Sequence, residues 1–428
     1  TGGTTNITGG TISGNTSNYG AGLGIWNNGI VNAQNAVITG NKAIADGGGG
    51  ISIAANTLTL DGVTISNNEA PYASGIGIWG EGKVVMNGDT RITGNKVLTE
   101  SGDELGGTVF VKGVAGNGSS FVMNSGSITD NTTDKAYGAG IVVNGSKTGA
   151  TAEINGGTIS GNTNAQGVKQ GVFLYKGSVK NGTIKLSGEP DISDEIYLND
   201  DQDQNAKIEV TAALNPKRPI PVNDSSWTDY RTIVTYAAGL TAKTEDFTPA
   251  SGSERQVIIK DENDAQNLQS LNKRSVTFRE KDDVTQNYGE IYVLPKEKIA
   301  ADQVPDAKKE DHELLGWKEL KTDKEWNFAT DTVTEDTVLY PVWKLDERYY
   351  TVKYETGSRY ATIADMRVKD GNKARKPELT WAGRTLQGWY TTADFQDGTL
   401  WDFESPVKGN MTLHAKWVLN APTVAVDA

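Results

Sequence analysis

One heptapeptide recurs along the first half of this chain and restricts it to stacked, near-identical coils. GTISGNT (Gly10–Thr16), AVITGNK (Ala36–Lys42), VTISNNE (Val63–Glu69), TRITGNK (Thr90–Lys96), GSITDNT (Gly126–Thr132) and GTISGNT (Gly157–Thr163) align without gaps. Their central isoleucines, Ile12, Ile38, Ile65, Ile92, Ile128 and Ile159, are separated by 26, 27, 27, 36 and 31 residues, and a degenerate seventh copy is centred on Ile192. A fixed period of this length is the signature of a solenoid, in which each repeat buries its apolar face only against its neighbours.

Two further motifs keep phase with the first. GAGLGIW (Gly20–Trp26), GGGGISI (Gly47–Ile53), ASGIGIW (Ala73–Trp79), GGTVFV (Gly106–Val111), YGAGIVV (Tyr137–Val143) and KQGVFLY (Lys169–Tyr175) form one set. Leu58–Leu60, Val84–Met86, Phe121–Met123 and Ala152–Ile154 form the other. Three short strands per coil are therefore expected, with extra residues of the long steps at Val97–Gly106 and Asp134–Gly149. Period-two alternation points Leu23/Ile25, Ile51/Ile53, Ile76/Ile78, Val109/Val111, Ile141/Val143 and Val172/Leu174 inward. Asn15, Asn41, Asn68, Asn95, Asn131 and Asn162 each follow the isoleucine by three residues. Asparagine tolerates left-handed backbone and its amide can bond the coils on either side, so these six are expected to form a structural ladder at a turn.

Composition then divides the chain. Residues 1–198 hold 40 of the 50 glycines but only 26 of the 95 charged residues, which places a boundary near residue 199. The expected organisation is a parallel β-helix of about seven coils over 1–198 and a β-rich cap or small linker domain over 199–274. The latter carries strand-like pieces at Ala206–Ala212, Arg231–Tyr236 and Gln256–Ile259 and a short helix around Asp264–Leu271. Two tandem units follow at 275–345 and 346–418, with a tail at 419–428. The tandem units share Gly316–Trp317 with Gly388–Trp389, Trp326–Phe328 with Trp401–Phe403, and closing strands Val338–Trp343 with Thr412–Trp417.

These residues resemble two known families. The G-[GT]-T-I-S-G-N-T coils look like the right-handed parallel β-helix repeats of surface proteins from gut Firmicutes, over roughly residues 1–200. The tandem units look like Listeria–Bacteroides repeats, the B-repeats of internalin-type proteins, over roughly 275–418; that resemblance implies a small β-grasp fold, a cell-surface stalk or adhesive role, and no catalytic residues. The second unit fits the family pattern at Gly388-Trp389-Tyr390, Trp401-Asp402-Phe403 and Thr412–Trp417. The first departs at Lys318, which replaces the tyrosine, and at Pro341, which interrupts the closing strand.

Charge and residue types narrow the chemistry. A net charge of −13 argues against nucleic acid as a partner, and no apolar run approaches bilayer length, so membrane insertion is not expected. The chain has no cysteine, which removes disulfides and thiolate sites, and its two histidines, His312 and His414, lie outside the solenoid. His414 reads as a structural residue of a closing strand. Paired acids at Asp103/Glu104 and Asp194/Glu195 read as solvated charge, because neighbours on a strand face opposite ways. Asp89 and Arg91 read as an ion pair on one outward face. Asp200, Asp201 and Asp203 have the oxygen ligands that calcium favours but lack the closing bidentate glutamate, so no cofactor is expected.

The aromatic residues carry the binding expectation. Trp26 and Trp79 share one outward position two coils apart, about 10 Å at the strand spacing. Gly24, Ser52 and Gly77 form a column of small residues beside them, and Phe110, Phe173 and Tyr175 extend the aromatic character along the sheet. Sugar rings stack on such faces, and a floor of small residues lets a chain approach the backbone. The expected function is that of a non-enzymatic fragment of a secreted or cell-surface bacterial adhesin, monomeric and part of a longer chain, binding a glycan or host surface protein. The alternative is a polysaccharide lyase or glycoside hydrolase on a β-helix scaffold.

Overall fold

The computed structural model describes residues 3–26, 29–45, 47–98, 106–114, 118–145, 148–175, 182–199, 206–250, 254–345, 348–358 and 361–421. The chain divides into two compact units, Thr1–Arg274 and Ser275–Ala428.

The first unit is a parallel β-helix. Its strands collect into sheets of eleven, seven, five and nine strands, each strand hydrogen-bonded to its equivalents one coil before and after. Four strands line a coil, one more than the sequence suggests. The additional strand is two residues long and follows the ladder asparagine directly, as at Thr16–Ser17, Lys42–Ala43, Glu69–Ala70, Lys96–Val97 and Thr132–Thr133. Such short strands contain no alternation to read, so only pairing between coils reveals them.

Register is held through every change of coil length. The chain of partners Ile12, Ile38, Ile65, Ile92, Ile128, Ile159, Ile192 is unbroken. So is the chain Leu23, Ile51, Ile76, Val109, Ile141, Val172, Ile196. A one-residue slip would turn the whole apolar set outward, so burial on one face pins the pairing. The stacked side chains form one continuous core from Ile25 to Leu268. The segment Asp134–Gly149 is not a single loop, since Ile141–Asn144 within it is a strand of the nine-stranded sheet.

The asparagines bond coil to coil. Each side-chain amide donates to the next Oδ1 at 2.8–3.0 Å from Asn15 through Asn41, Asn68, Asn95 and Asn131 to Asn162. The left-handed residue is the one before the asparagine: Gly14, Gly40, Asn67, Gly94, Asp130 and Gly161 all have φ between 53° and 72°. This corrects the expectation that the ladder residues themselves occupy that conformation. A Cβ at Gly14 or Gly40 would touch nothing within 4 Å, so backbone sign and not space selects glycine there.

Asp194 ends the ladder. Its carboxylate accepts from Gly161 N (2.8 Å), Asn162 N (2.8 Å) and Asn162 Nδ2 (2.9 Å). A carboxylate accepts without donating, so it closes the series where an asparagine would hold one amide N–H with no further Oδ1 to receive it. Asp194 is fully buried and Glu195 is 7% exposed, so this doublet is not solvated charge.

Beyond the seventh coil the sheets run on. Ile208–Leu214 and Arg231–Tyr236 continue the eleven-stranded sheet, and Ile220–Asp224 and Phe247–Pro249 continue the nine-stranded one. The chain then reverses, with Asn267–Asn272 antiparallel to Arg231–Tyr236 and Gln256–Lys260 antiparallel to Asn267–Asn272. The helix expected around Asp264–Leu271 is therefore a turn and a strand. Asp264 accepts from Gln266 N through its side chain and from Asn267 N through its carbonyl, which closes a turn in place of a helical one.

The second unit contains two four-stranded sheets of identical order. In each, the sequence order across the sheet is second, first, fourth, third. Arg274–Arg279 runs parallel to Thr337–Leu345, and Tyr349–Glu355 runs parallel to Met411–Leu419. Among the described residues there is no α-helix, so an irregular segment with one 3₁₀ turn, Ala301–Gln303, replaces the helix that a β-grasp unit lays across its sheet in the first repeat. Trp317 and Trp389 are buried in the two cores, with Trp326 and Trp401 packed against them. The closing strand passes through Pro341, because its pairing with the parallel strand reaches only to Leu339, opposite Phe278, and no amide is needed on that side beyond it. Trp381 is half-buried, edge-on to Trp417 at 5.5 Å and beneath the Arg384 guanidinium at 4.6 Å.

Candidate binding cleft

The outward face of the nine-stranded sheet carries the candidate site. Register sets Gly24, Ser52, Gly77, Phe110, Val142, Phe173 and Tyr197 in one column. Ala54 pairs with Trp79 in the neighbouring column, where Lys112, Asn144 and Tyr175 follow. Trp26 stands at the end of the first strand and is 48% exposed.

A cleft of about 400 Å³ opens here, lined by Tyr19, Trp26, Gly47, Ser52, Tyr72, Trp79 and Lys112. The Trp79 indole N–H donates to Ser52 Oγ at 3.2 Å, its ring packs on Phe110 at 5.6 Å, and the Lys112 ammonium sits 5.8 Å from its centre. Tyr19, Tyr72 and Lys112 were not found from sequence. The two tyrosines lie in turns that swing in from beside the strands, and Lys112 is one residue past its motif.

The small residues act differently from expectation. A Cβ on Gly24 would lie 2.8 Å from Trp26 Nε1, and one on Gly77 would lie 2.8–3.1 Å from three atoms of the Trp79 ring. Each indole thus folds back over the glycine two residues before it. The glycines seat the rings; Gly24 stays exposed, while Ser52 and Gly77 are buried and form no open floor. Gly77→Ala should displace the Trp79 ring while leaving both tryptophans present. Its expected readout is a shift of indole fluorescence and loss of the Trp79–Ser52 hydrogen bond, with an unchanged emission spectrum counting against the seating role.

The aromatic track is also shorter than expected. Phe110 is 2% exposed and Phe173 is fully buried, both in a second apolar cluster with Ala73 and Val142, against which Trp79, Tyr137, Tyr175 and Tyr197 pack. Neighbouring side chains such as Trp79 and Tyr137 cover the two phenylalanines, so neither ring extends the Trp26–Trp79 surface.

Among the described residues, the charged candidates do not assemble into a catalytic group. Asp89 and Arg91 are both exposed and no ion pair joins them, since Asp89 lies in the turn before the strand Arg91–Thr93. Asp103 and Glu104, like Asp200, Asp201 and Asp203, lie outside the described residues. Among the described residues no group of three or more His, Asp or Glu side chains could hold a metal ion, and no helix is long and apolar enough to cross a membrane.

Comparison with known proteins finds partial relatives. One is named "Putative membrane protein" and another "Putative Gly-rich membrane protein", both from Evansella cellulosilytica. They are 37% and 32% identical over 123 and 124 residues, or 28% of this chain in each case. The chain spans 18% and 14% of their lengths, less than a fifth of either. Residues 274–342 and 350–416 each match the family model of the Listeria-Bacteroides repeat domain, so the two tryptophan-rich sheets are the counterparts of that repeat.

Proposed function

We propose that this chain is a binding portion of a bacterial surface-associated protein, with the cleft between Trp26 and Trp79 taking a saccharide and the two C-terminal repeats acting as a stalk. The observation that carries the reading is the half-exposed Trp26 ring at the mouth of a cleft whose other walls are Tyr19, Tyr72 and Trp79. A large indole is rarely left this exposed without a partner, and flat aromatic faces suit the apolar face of a pyranose. The names of the relatives, and the repeats, support placement at the cell envelope.

A glycan array probed with the whole chain tests this. Binding is expected, and Trp26→Ala should weaken it by about thirtyfold, the effect of losing a central aromatic anchor worth about 2 kcal/mol. Equal binding by the variant would remove the cleft from consideration. Oligosaccharide release from pectin, mucin or glycosaminoglycan that vanishes in Asp89→Asn or Glu104→Gln would replace this reading with a polysaccharide-degrading one.

A further inference from the structure

Four buried carboxylates of the β-helix can be compared. Asp194 ends the asparagine ladder, Asp224 pairs with Arg231, and Asp246 accepts the Tyr236 hydroxyl at 2.9 Å. Glu195 has no such partner. It accepts from Gln170 Nε2 at 3.2 Å and Asn223 Nδ2 at 3.1 Å, and among the described residues no cation pairs with it. Two neutral amides fill about two of roughly four lone-pair positions on a carboxylate. A buried, uncompensated negative charge is costly, which calls for an account of why it is there.

Glu195 lines a cleft of about 310 Å³ on the outward face, together with Tyr137, Gln170, Tyr197 and Asn223. The Tyr137 and Tyr197 rings lie 5.9 Å apart at 47°, and both rest on Phe173 at 5.2 Å. The Gln170 amide is used at both ends, since its Oε1 accepts from Gly138 N. Asn164 is likewise occupied, accepting from Gln166 N and Val168 N and donating to Ala136 O. The cleft thus presents free acceptor positions and aromatic faces. Burial pushes the Glu195 carboxyl above the ordinary carboxylate range, the Asn223 and Gln170 hydrogen bonds pull it back, and the Asp194 charge adds to the rise. A cation supplied from outside would relieve the same penalty, and aromatic faces attract cations. The net charge of −13 raises the local concentration of such ligands.

We propose that this cleft binds an organic primary ammonium group, which donates to the open lone pairs of Glu195 while its carbon frame lies against Tyr137 and Tyr197. The site is about 20 Å along the sheet from Trp79, four strand spacings away, and does not depend on the saccharide reading of the first cleft.

Titration calorimetry on the full-length Trp26→Ala chain, which silences the first cleft, tests the proposal with three probes at physiological salt. These are a glucosamine tetramer, its fully N-acetylated counterpart and a lysine tetramer. Binding of either cationic probe, at least tenfold weaker to the neutral one and at least tenfold weakened by Glu195→Gln, is the expected result. Preference between the two cations then identifies an amino sugar or a lysine side chain as the source. Equal binding of the acetylated and free-amine sugars, cation binding indifferent to Glu195→Gln, or no binding of either cation would each overturn it. Should Glu195→Gln fail to fold, Tyr137→Leu keeps the carboxylate and removes one ring; unchanged affinity for the cations in that variant would equally overturn it.

Discussion

Replacing Asn95 by alanine is expected to destabilise the β-helix by about 4 kcal/mol, measured by urea unfolding of the whole chain. Asn95 is fully buried at the middle of the ladder. Its Oδ1 accepts from Asn68 N (3.0 Å) and Asn68 Nδ2 (2.9 Å), and its Nδ2 donates to Ile65 O (3.0 Å) and Asn131 Oδ1 (3.0 Å). Alanine leaves two to three of these buried groups without partners, at roughly 1–3 kcal/mol each. The neighbouring rungs Asn68 and Asn131 are fully buried as well. Asn15 is the natural comparison, being exposed and donating onward only to Asn41. Asn15→Ala should cost about 1 kcal/mol, the net worth of one ordinary hydrogen bond. Equal losses at the two positions would show that the ladder does not act as a buried, coupled network.

Gly50→Ala is expected to cost about 3 kcal/mol through a different mechanism, overpacking. Gly22, Gly50, Gly75, Gly140 and Gly171 each directly precede a residue of the inward column Leu23, Ile51, Ile76, Ile141 and Val172 in the nine-stranded sheet. A Cβ at Gly50 would lie 2.6 Å from Gly75 O and 2.9 Å from Ile65 Cγ2; at Gly22 and Gly140 it would lie 2.5 and 2.3 Å from the next coil's carbonyl. The coils would have to separate, and parallel pairing forbids that locally. Gly40 is the control, with open space but φ of 62°, so Gly40→Ala should cost about 1–2 kcal/mol from left-handed strain alone. Thermal unfolding of both variants separates the two causes. A Gly50→Ala chain as stable as the parent would mean that the coil spacing is softer than this packing implies.

How much of this was legible beforehand follows from how local each cause is. The isoleucine column and the inward face were readable because alternation and a fixed coil length are properties of the chain itself. The tryptophan pair was readable for the same reason, since phase places Trp26 and Trp79 on one outward column. What surrounds them was not. Tyr19 and Tyr72 arrive from turns, and Phe110 and Phe173 lose their exposure to residues such as Tyr137 that are distant in sequence. The glycine columns look alike in sequence, yet Gly40 answers to backbone sign, Gly50 to the carbonyl of the next coil, and Gly77 to an indole lying over it. The acidic doublet Asp194/Glu195 shows the same division. Strand alternation does not apply to the pair, because Asp194 lies in the bend before the strand Glu195–Asn199, and only the stack supplies the three N–H groups that bury the first and the two amides that hold the second.

The sequence by itself therefore determined the solenoid, its register, its inward face and the two tryptophan-rich repeats, because each follows from a period written along the chain. The tertiary structure alone decided which outward residues stay open to a ligand, which glycines are seats and which are spacers, and which buried carboxylate meets no cation among the described residues. Those outcomes depend on contacts between coils some 25 to 40 residues apart, and no local pattern encodes which turn folds over which face.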